Sequence, residues 1–210
     1  LYLEKKENYN GAIELYSNAI NIQPRTILFV RRGDCYQKIE KHELASVDYT
    51  KALESEPEDI GIRMSRAYYY IQTEQYDKLL EDLGYQLKRN PKDYSTKANY
   101  IMALGQLKRF QEALPLSIEL TKEMPDNMMH LAHYLVANNY VKLDQLDEAE
   151  MHIDLSFKFN SNYEYSYYAT ALVELKRGNN SRACEAYNKS LSLGIELDEQ
   201  EEKELKATCQ

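Results

Sequence analysis

The sequence has 210 residues, of which 43% are hydrophobic and 29% are charged, and its formal net charge at pH 7 is −8. This composition supports a packed core, whereas 7 Gly and 5 Pro are few for the many turns of a sheet protein. The negative charge argues against nucleic acid as a partner, because contact with phosphate needs clustered Lys and Arg. No apolar run is long enough to span a bilayer, so membrane insertion is not expected either.

A ladder of small and aromatic residues returns at regular intervals along the chain. Its first copy reads Ala12, Tyr16, Ala19 and Pro24. Spacings of four and three place side chains on one face of a helix, where small residues admit a neighbouring helix and Tyr fills the gap beside it. The proline then ends the helix. Further copies start 33, 34, 34, 36 and 34 residues apart, at Ala45, Leu79, Ala113, Ala149 and Ala183.

A second ladder, a small residue followed three later by an aromatic one, precedes several copies of the first. Its members are Gly33 with Tyr36, Ala67 with Tyr70, and Ala137 with Tyr140. Two ladders in register with a period of about 34 residues resemble the tetratricopeptide repeat (TPR), a helix–turn–helix unit. The resemblance covers about residues 1–195. It implies an all-α, right-handed superhelical solenoid of antiparallel helix pairs, with about five and a half repeats of which the first is truncated.

The end of the chain differs from the repeats. Residues 196–210 are strongly acidic and rich in helix formers. We expect them to form a polar C-terminal helix that caps the last repeat.

Two Arg–Asp pairs stand sixteen residues apart in successive repeats. Arg32 and Asp48 occupy the same repeat positions as Arg66 and Asp82. TPR proteins with this pattern pair the two side chains between the helices of one repeat, so the resemblance implies two structural ion pairs. Structural pairing is favoured over ligand contact, because a buried charge without a partner is costly.

The spacing of the cysteines matches neither a known disulfide framework nor a known zinc site. Cys35, Cys184 and Cys209 are far apart and odd in number, and no CxxC pair exists. This pattern predicts neither a disulfide framework nor a zinc site, and it favours a reduced, intracellular protein.

No catalytic, cofactor or metal site is readable from the sequence. His130 and His133 can share a helical face, with His152 one helix away, but no HExxH motif or further ligand accompanies them. No glycine-rich phosphate loop or nucleophile elbow is present. We therefore expect no enzyme activity, no cofactor and no bound metal.

The concave face of the first helices is the predicted partner-binding groove. TPR families direct one side of these helices into the groove, and the residues that the resemblance places there are Tyr68, Asn99, Met102, Tyr134, Asn138, Tyr165 and Tyr168. Tyr and Met supply adaptable apolar contact area, and an Asn amide can bind a peptide backbone. Lys38, Lys142 and Lys176 recur toward the same rim. The 19 tyrosines have an alternative explanation in a nucleotide bias that raises Tyr, Asn and Lys together.

The predicted function is a protein-interaction scaffold or adaptor subunit that binds a protein or peptide segment. One alternative is a co-chaperone that binds an acidic C-terminal peptide. It would need a set of Lys and Arg where this chain has Val30, Asp34, Met64, Ser65, Ser95 and Ala98. The other alternative is the helical-repeat body of an enzyme, which would need a converging set of catalytic groups.

Segment 20–41 is similar to TPR proteins of eukaryotic assemblies, including ciliary ones. That resemblance implies a cytoplasmic subunit of a larger ciliary or cytoskeletal assembly. Because the sequence starts at Leu1 within a repeat, a targeting segment upstream stays an open alternative.

Overall fold

The computed structural model describes residues 7–197 and 199–209, without the side chains of residues 199–201. Within these residues the chain forms α-helices, one short 3-10 helix and no strand. The helices are α1 (Tyr9–Ile22), α2 (Thr26–Lys38), α3 (His42–Ser55), α4 (Ile60–Gln72), α5 (Tyr76–Arg89), α6 (Tyr94–Gln106), α7 (Phe110–Glu123), α8 (Met129–Lys142), α9 (Leu146–Phe159), α10 (Glu164–Lys176), α11 (Asn180–Ser192) and α12 (Glu199–Thr208). The predicted all-α repeat fold is confirmed. Every described helix is too short or too polar to traverse a lipid bilayer.

The helices are arranged in consecutive pairs, with α2 packed on α3, α4 on α5, α6 on α7, α8 on α9 and α10 on α11. The small residues of the ladders lie where two helices meet. A Cβ atom added to Gly33 would stand 2.8 Å from Cε1 of Tyr49, a distance that no real side chain adopts, so only glycine admits this ring. Tyr49 is fully buried, as are Ala12, Ala45, Ala113 and Ala149.

Between the two helices of each pair, one residue has a left-handed backbone conformation and turns the chain. The turn positions Glu40, Glu74, Lys108, Asp144 and Gly178 all have φ between 53° and 80°, and each lies two residues before a second helix begins. Only the last of them is glycine, the residue that adopts this conformation without steric cost. The regular recurrence of this turn fixes the antiparallel direction of the second helix.

The chain divides into two compact units, Leu1–Pro91 and Lys92–Gln210. In the first unit, buried clusters surround Tyr16 and Tyr49. In the second unit, one cluster includes Ala137 and Ile153 and another includes Tyr187.

Both Arg–Asp pairs that the TPR resemblance implies are present. Arg32 donates two hydrogen bonds to the Asp48 carboxylate, at 2.8 and 2.7 Å. It donates a third, at 3.0 Å, to the Ser17 hydroxyl on α1. Because Asp48 lies on α3, this arginine on α2 joins two second helices of neighbouring repeats.

The second pair repeats this arrangement and extends it. Arg66 on α4 bonds to Asp82 on α5 at 2.9 and 2.7 Å and to the Thr50 hydroxyl on α3 at 3.2 Å. Arg63, one turn earlier on α4, also donates to Asp82 at 2.7 Å. Arg63 was not predicted as a partner, because it lies nineteen residues before the aspartate rather than sixteen.

The structure corrects the prediction that no disulfide is formed. Cys184 on α11 and Cys209 after α12 are disulfide-bonded, and their Cα atoms are 5.2 Å apart. The prediction was wrong because their sequence separation of 25 matches no recognisable spacing motif. Their proximity arises only when α12 folds back onto α11. Cys35 lies outside the disulfide and is buried.

Candidate functional site

A cavity of about 250 Å³ in the second unit is lined mainly by the first helices α6 and α8. Three of the predicted groove residues line it: Met102, Tyr134 and Asn138. Met102 is 50% exposed, and Asn138 and Tyr134 are half-buried. The structure therefore brings together, at one concave site, residues that are 36 positions apart in the sequence.

Helix periodicity explains why these side chains face the cavity. Met102 directly follows the buried Ile101, and Asn138 directly follows the buried Ala137, so both stand beside the packed seam rather than within it. Tyr134 is four residues before Asn138 and therefore lies one turn away on the same face of α8. The repeat positions of the two ladders thus determine the lining of the cavity.

Two adjacent asparagines have different environments. Asn139 is buried and donates a 2.9 Å hydrogen bond to the Leu135 carbonyl, with Ser117 Oγ at 3.4 Å. No described residue forms a hydrogen bond with the Asn138 side chain. Its amide therefore keeps both donors and its acceptor for a ligand, whereas Asn139 holds α8 against α7.

An aromatic cluster adjoins the cavity through Tyr134. The Tyr134 ring lies 5.8 Å from Tyr163 and 5.3 Å from Tyr165, and those two rings are 5.6 Å apart. His130 packs edge-on against Tyr163 at 4.7 Å. Burial raises the pKa of Tyr163, so its hydroxyl stays protonated. The cluster forms an aromatic wall between α8 and α10.

Tyr163 and His130 were not among the predicted groove residues. Tyr163 immediately precedes α10, outside the helical register used for the prediction, and His130 was weighed only as a metal ligand. Their signal was available in the sequence, since both lie within one turn of predicted groove positions.

The structure corrects the placement of Tyr168. This residue is 2% exposed and packs in the cluster that contains Leu205 of α12. It stands three residues before Ala171, as Tyr134 stands three before Ala137. Tyr168 thus occupies the repeat position of Tyr134, but in the last repeat this position is buried in a cluster that includes the C-terminal helix.

The other predicted groove residues lie outside the cavity. Asn99 is exposed on α6. Tyr68 belongs to the first unit, where it is 49% exposed on α4 and contacts His42 edge-on at 6.1 Å. Met64 and Ile71, four residues before and three after Tyr68, are also exposed, so α4 presents its own apolar stripe.

Two lysines supply positive charge to the cavity. Lys108 and Lys142 line it, and no described carboxylate pairs with either. Lys176, which was expected at the same rim, instead pairs with Asp144 at 3.0 Å. The rim charge of this cavity therefore comes from Lys108 and Lys142.

His133 and His152 form a partly buried contact rather than a ligand set. His133 Nδ1 and His152 Nδ1 are 3.0 Å apart, and His133 stacks on Phe159. Burial lowers the pKa of His133 to about 4, with the neighbouring His152 as the second cause, and burial also lowers the pKa of His152. Within the described residues, no group of three or more His, Cys, Asp and Glu side chains could hold a metal ion.

Comparisons with known sequences place part of the chain in a family. The Tetratricopeptide repeat family matches residues 28–59. DnaJ homolog subfamily C member 7 of Homo sapiens is 31% identical over 112 residues, which is 50% of this chain and 23% of the human protein. The transcription factor tau 131 kDa subunit of Saccharomyces cerevisiae is 34% identical over 70 residues, or 32% of this chain and 7% of that protein. The chain spans less than a quarter of the length of these curated relatives.

Solved structures show the same fold. A tetratricopeptide repeat protein from Parabacteroides merdae matches with a TM-score of 0.68 at 20% identity, covering 99% of this chain and 80% of that one. YrrB, described as a TPR protein with an unusual peptide-binding site, matches with a TM-score of 0.59 at 16% identity, covering 93% and 99%. The ladders, the helix pairs and these comparisons agree: the chain has the fold of tetratricopeptide-repeat proteins, and its residues 28–59 match the repeat family itself.

Proposed function

We propose that this chain is a protein-interaction scaffold, and that the cavity between α6 and α8 binds a peptide segment of its partner. The observation that carries the proposal is the combination of exposed Met102, half-buried Tyr134 and the unpartnered Asn138 amide in one concave site. A binding role is proposed rather than a catalytic one, because the site contains no acid–base pair or activated nucleophile.

The chemistry of the lining suggests the chemistry of the ligand. Met102 and Tyr134 offer apolar area that adapts to an irregular surface. The Asn138 amide can bind one peptide unit of the ligand backbone. Lys108 and Lys142 favour an acidic flank. The proposed ligand is therefore an apolar segment followed or preceded by Asp or Glu.

The co-chaperone alternative has one observation in its favour, the partial identity with a DnaJ homolog. That alternative predicts recognition of an acidic peptide through its free C-terminal carboxylate, for which Lys108 and Lys142 would be the candidate cations. Cellular location and membership of a ciliary or cytoskeletal assembly stay predictions.

A displayed library of random peptides, selected on the wild-type chain, tests the proposal. A photoreactive residue at position 102 should cross-link to the selected peptides, whereas the same residue at position 151 should not. Met151 is the matched control because it is a methionine of similar exposure, 54%, on the second helix α9. Cross-linking only at position 151 would contradict the groove proposal. Peptides that lose binding when their C-terminus is amidated would favour the co-chaperone alternative.

A further inference from the structure

The C-terminal helix α12 is attached to the last repeat by a single row of side chains. Leu205 is fully buried in the apolar cluster that contains Tyr168 and Tyr187. Three residues earlier, Glu202 accepts a 3.2 Å hydrogen bond from the Tyr187 hydroxyl. Four residues later, Cys209 is disulfide-bonded to Cys184 of α11. Glu202 and Leu205 are three residues apart and lie on one face of the helix, and Cys209 follows directly after its last residue, Thr208.

The rest of α12 contributes little to holding it in place. The helix has 10 residues with the sequence EQEEKELKAT, and isolated helices of this length are only marginally stable in water. Among its described side chains, only Glu202 and Leu205 are buried. The covalent link therefore supplies a large part of the constraint that keeps α12 docked, because it limits how far the segment between the cysteines can separate.

The disulfide joins two residues that are not buried. Cys184 and Cys209 are both partly exposed, in contrast to Cys35, which is 2% exposed. Thiol–disulfide exchange requires that a thiolate reach one of the sulfurs. The link that holds α12 is thus the part of this interface open to chemistry from outside.

We propose that the Cys184–Cys209 disulfide is a redox latch that holds α12 over the last repeat, and that its reduction uncovers Tyr168 and Tyr187. The reductant is a dithiol. One of its thiolates attacks the sulfur of Cys209 and releases the Cys184 thiolate, and its second thiol then displaces Cys209 from the mixed disulfide. Two electrons and two protons pass to the protein, which gains two thiols, and the dithiol leaves as a disulfide.

The effect of releasing α12 follows from the position of Tyr168 within its repeat. Tyr168 holds the position that Tyr134 holds two helices earlier, where the ring lines the cavity. With α12 docked, Tyr168 is inaccessible; with α12 released, the last repeat presents it to solvent. This inference goes beyond the proposed function and does not require it, because neither Tyr134 nor the cavity takes part in the latch.

Hydrogen exchange in the oxidised and reduced wild-type chain tests the latch. Alkylation in denaturant should modify one cysteine, Cys35, after oxidation in a glutathione buffer, and all three cysteines after treatment with dithiothreitol. Reduction should speed amide exchange in residues 202–209 by about tenfold or more and also speed exchange around Tyr168. Exchange in residues 42–55 of the first unit should not change.

A variant with Cys184→Ser and Cys209→Ser is the control. It should exchange at the fast rate in residues 202–209 with and without dithiothreitol. Equal exchange in oxidised and reduced wild type, or three alkylated cysteines after oxidation, would overturn the latch. Faster exchange in residues 42–55 as well would also overturn the latch, because the disulfide would then stabilise the whole fold rather than the docking of α12 alone.

Discussion

Arg66 and Asp82 form two hydrogen bonds across the α4–α5 pair, and Arg63 donates a third to the same carboxylate. Asp82 is 1% exposed, so it would be an uncompensated buried charge without these arginines. In the preceding repeat, Asp48 is 2% exposed and is paired with Arg32. The two repeats thus hold equivalent aspartates with a different number of arginines.

This difference predicts unequal effects of removing the equivalent arginines. Arg32→Ala leaves Asp48 buried without its arginine, and we expect a loss of about 3–5 kcal/mol in the free energy of unfolding. Arg66→Ala leaves Asp82 paired with Arg63, so we expect a clearly smaller loss. Urea unfolding followed by circular dichroism measures both. Equal losses in the two variants would show that Arg63 does not compensate.

Arg109→Ala provides the control for these two variants. Arg109 pairs with Glu112 at 2.7 Å, but both side chains are well exposed. Exposed pairs typically contribute about 1 kcal/mol or less. A loss as large as that of Arg32→Ala would mean that helix propensity or packing, rather than the buried charge, determines these effects.

The left-handed turns predict a stabilising substitution. Glu74 has a φ of 53°, a conformation that costs a non-glycine residue about 1–2 kcal/mol. Glycine removes this cost but is less restricted in the unfolded chain. Glu74→Gly should therefore raise the free energy of unfolding by up to about 1 kcal/mol, and Gly178→Ala should lower it. A loss of stability in Glu74→Gly would show that the Glu74 side chain stabilises the turn.

Burial of His133 beside His152 predicts a loss of stability at acidic pH. The pKa of His133 is lowered to about 4 in the folded chain, from an ordinary value of about 6.5. The unfolded chain therefore binds more protons between these values, and stability falls as the pH falls through this range. We expect His133 to account for about 1–2 kcal/mol of loss between pH 7 and pH 5.

His133→Gln isolates this contribution, because glutamine is neutral throughout the range and can still form a hydrogen bond. The variant should lose less stability than wild type between pH 7 and pH 5 in paired urea titrations. Parallel pH profiles for the two proteins would contradict the assignment and would attribute acid sensitivity to the carboxylates.

The corrected position of Tyr168 predicts a stability effect rather than a binding effect. Tyr168 is 2% exposed and Tyr68 is 49% exposed. Truncation of a buried aromatic residue commonly costs about 3–5 kcal/mol, whereas an exposed substitution usually changes stability by about 0.5 kcal/mol or less. Tyr168→Ala should therefore lower the urea midpoint far more than Tyr68→Ala. Similar midpoints would mean that α12 does not cover Tyr168 in solution.

The repeat fold could be predicted because its signals are local and recurrent. Ala12, Ala45 and Ala113 mark the same packed position in different repeats, and all three are fully buried. The pairing of Arg32 with Asp48 could be expected because TPR proteins that resemble this chain pair the same two positions. A pattern that repeats in register predicts structure far better than a single motif.

The features that were missed depend on a particular neighbour. Tyr168 is buried in a cluster that includes Leu205, a residue from a segment outside the repeats. The disulfide forms only because α12 returns to α11. Tyr163, which contributes to the aromatic wall, is the residue immediately before α10. Periodicity gives the face of a helix, but it does not give what covers that face.

The central claim, that the cavity between α6 and α8 binds the partner segment, is tested most directly by peptide affinity. The dissociation constant of a fluorescent peptide selected on the wild-type chain is measured for three alanine variants. Tyr134→Ala should weaken binding about 30-fold, equivalent to about 2 kcal/mol for a central aromatic contact, and Met102→Ala should also weaken it. Met151→Ala should bind like wild type. Unchanged affinity in Tyr134→Ala and Met102→Ala, with circular dichroism confirming their fold, would contradict the account.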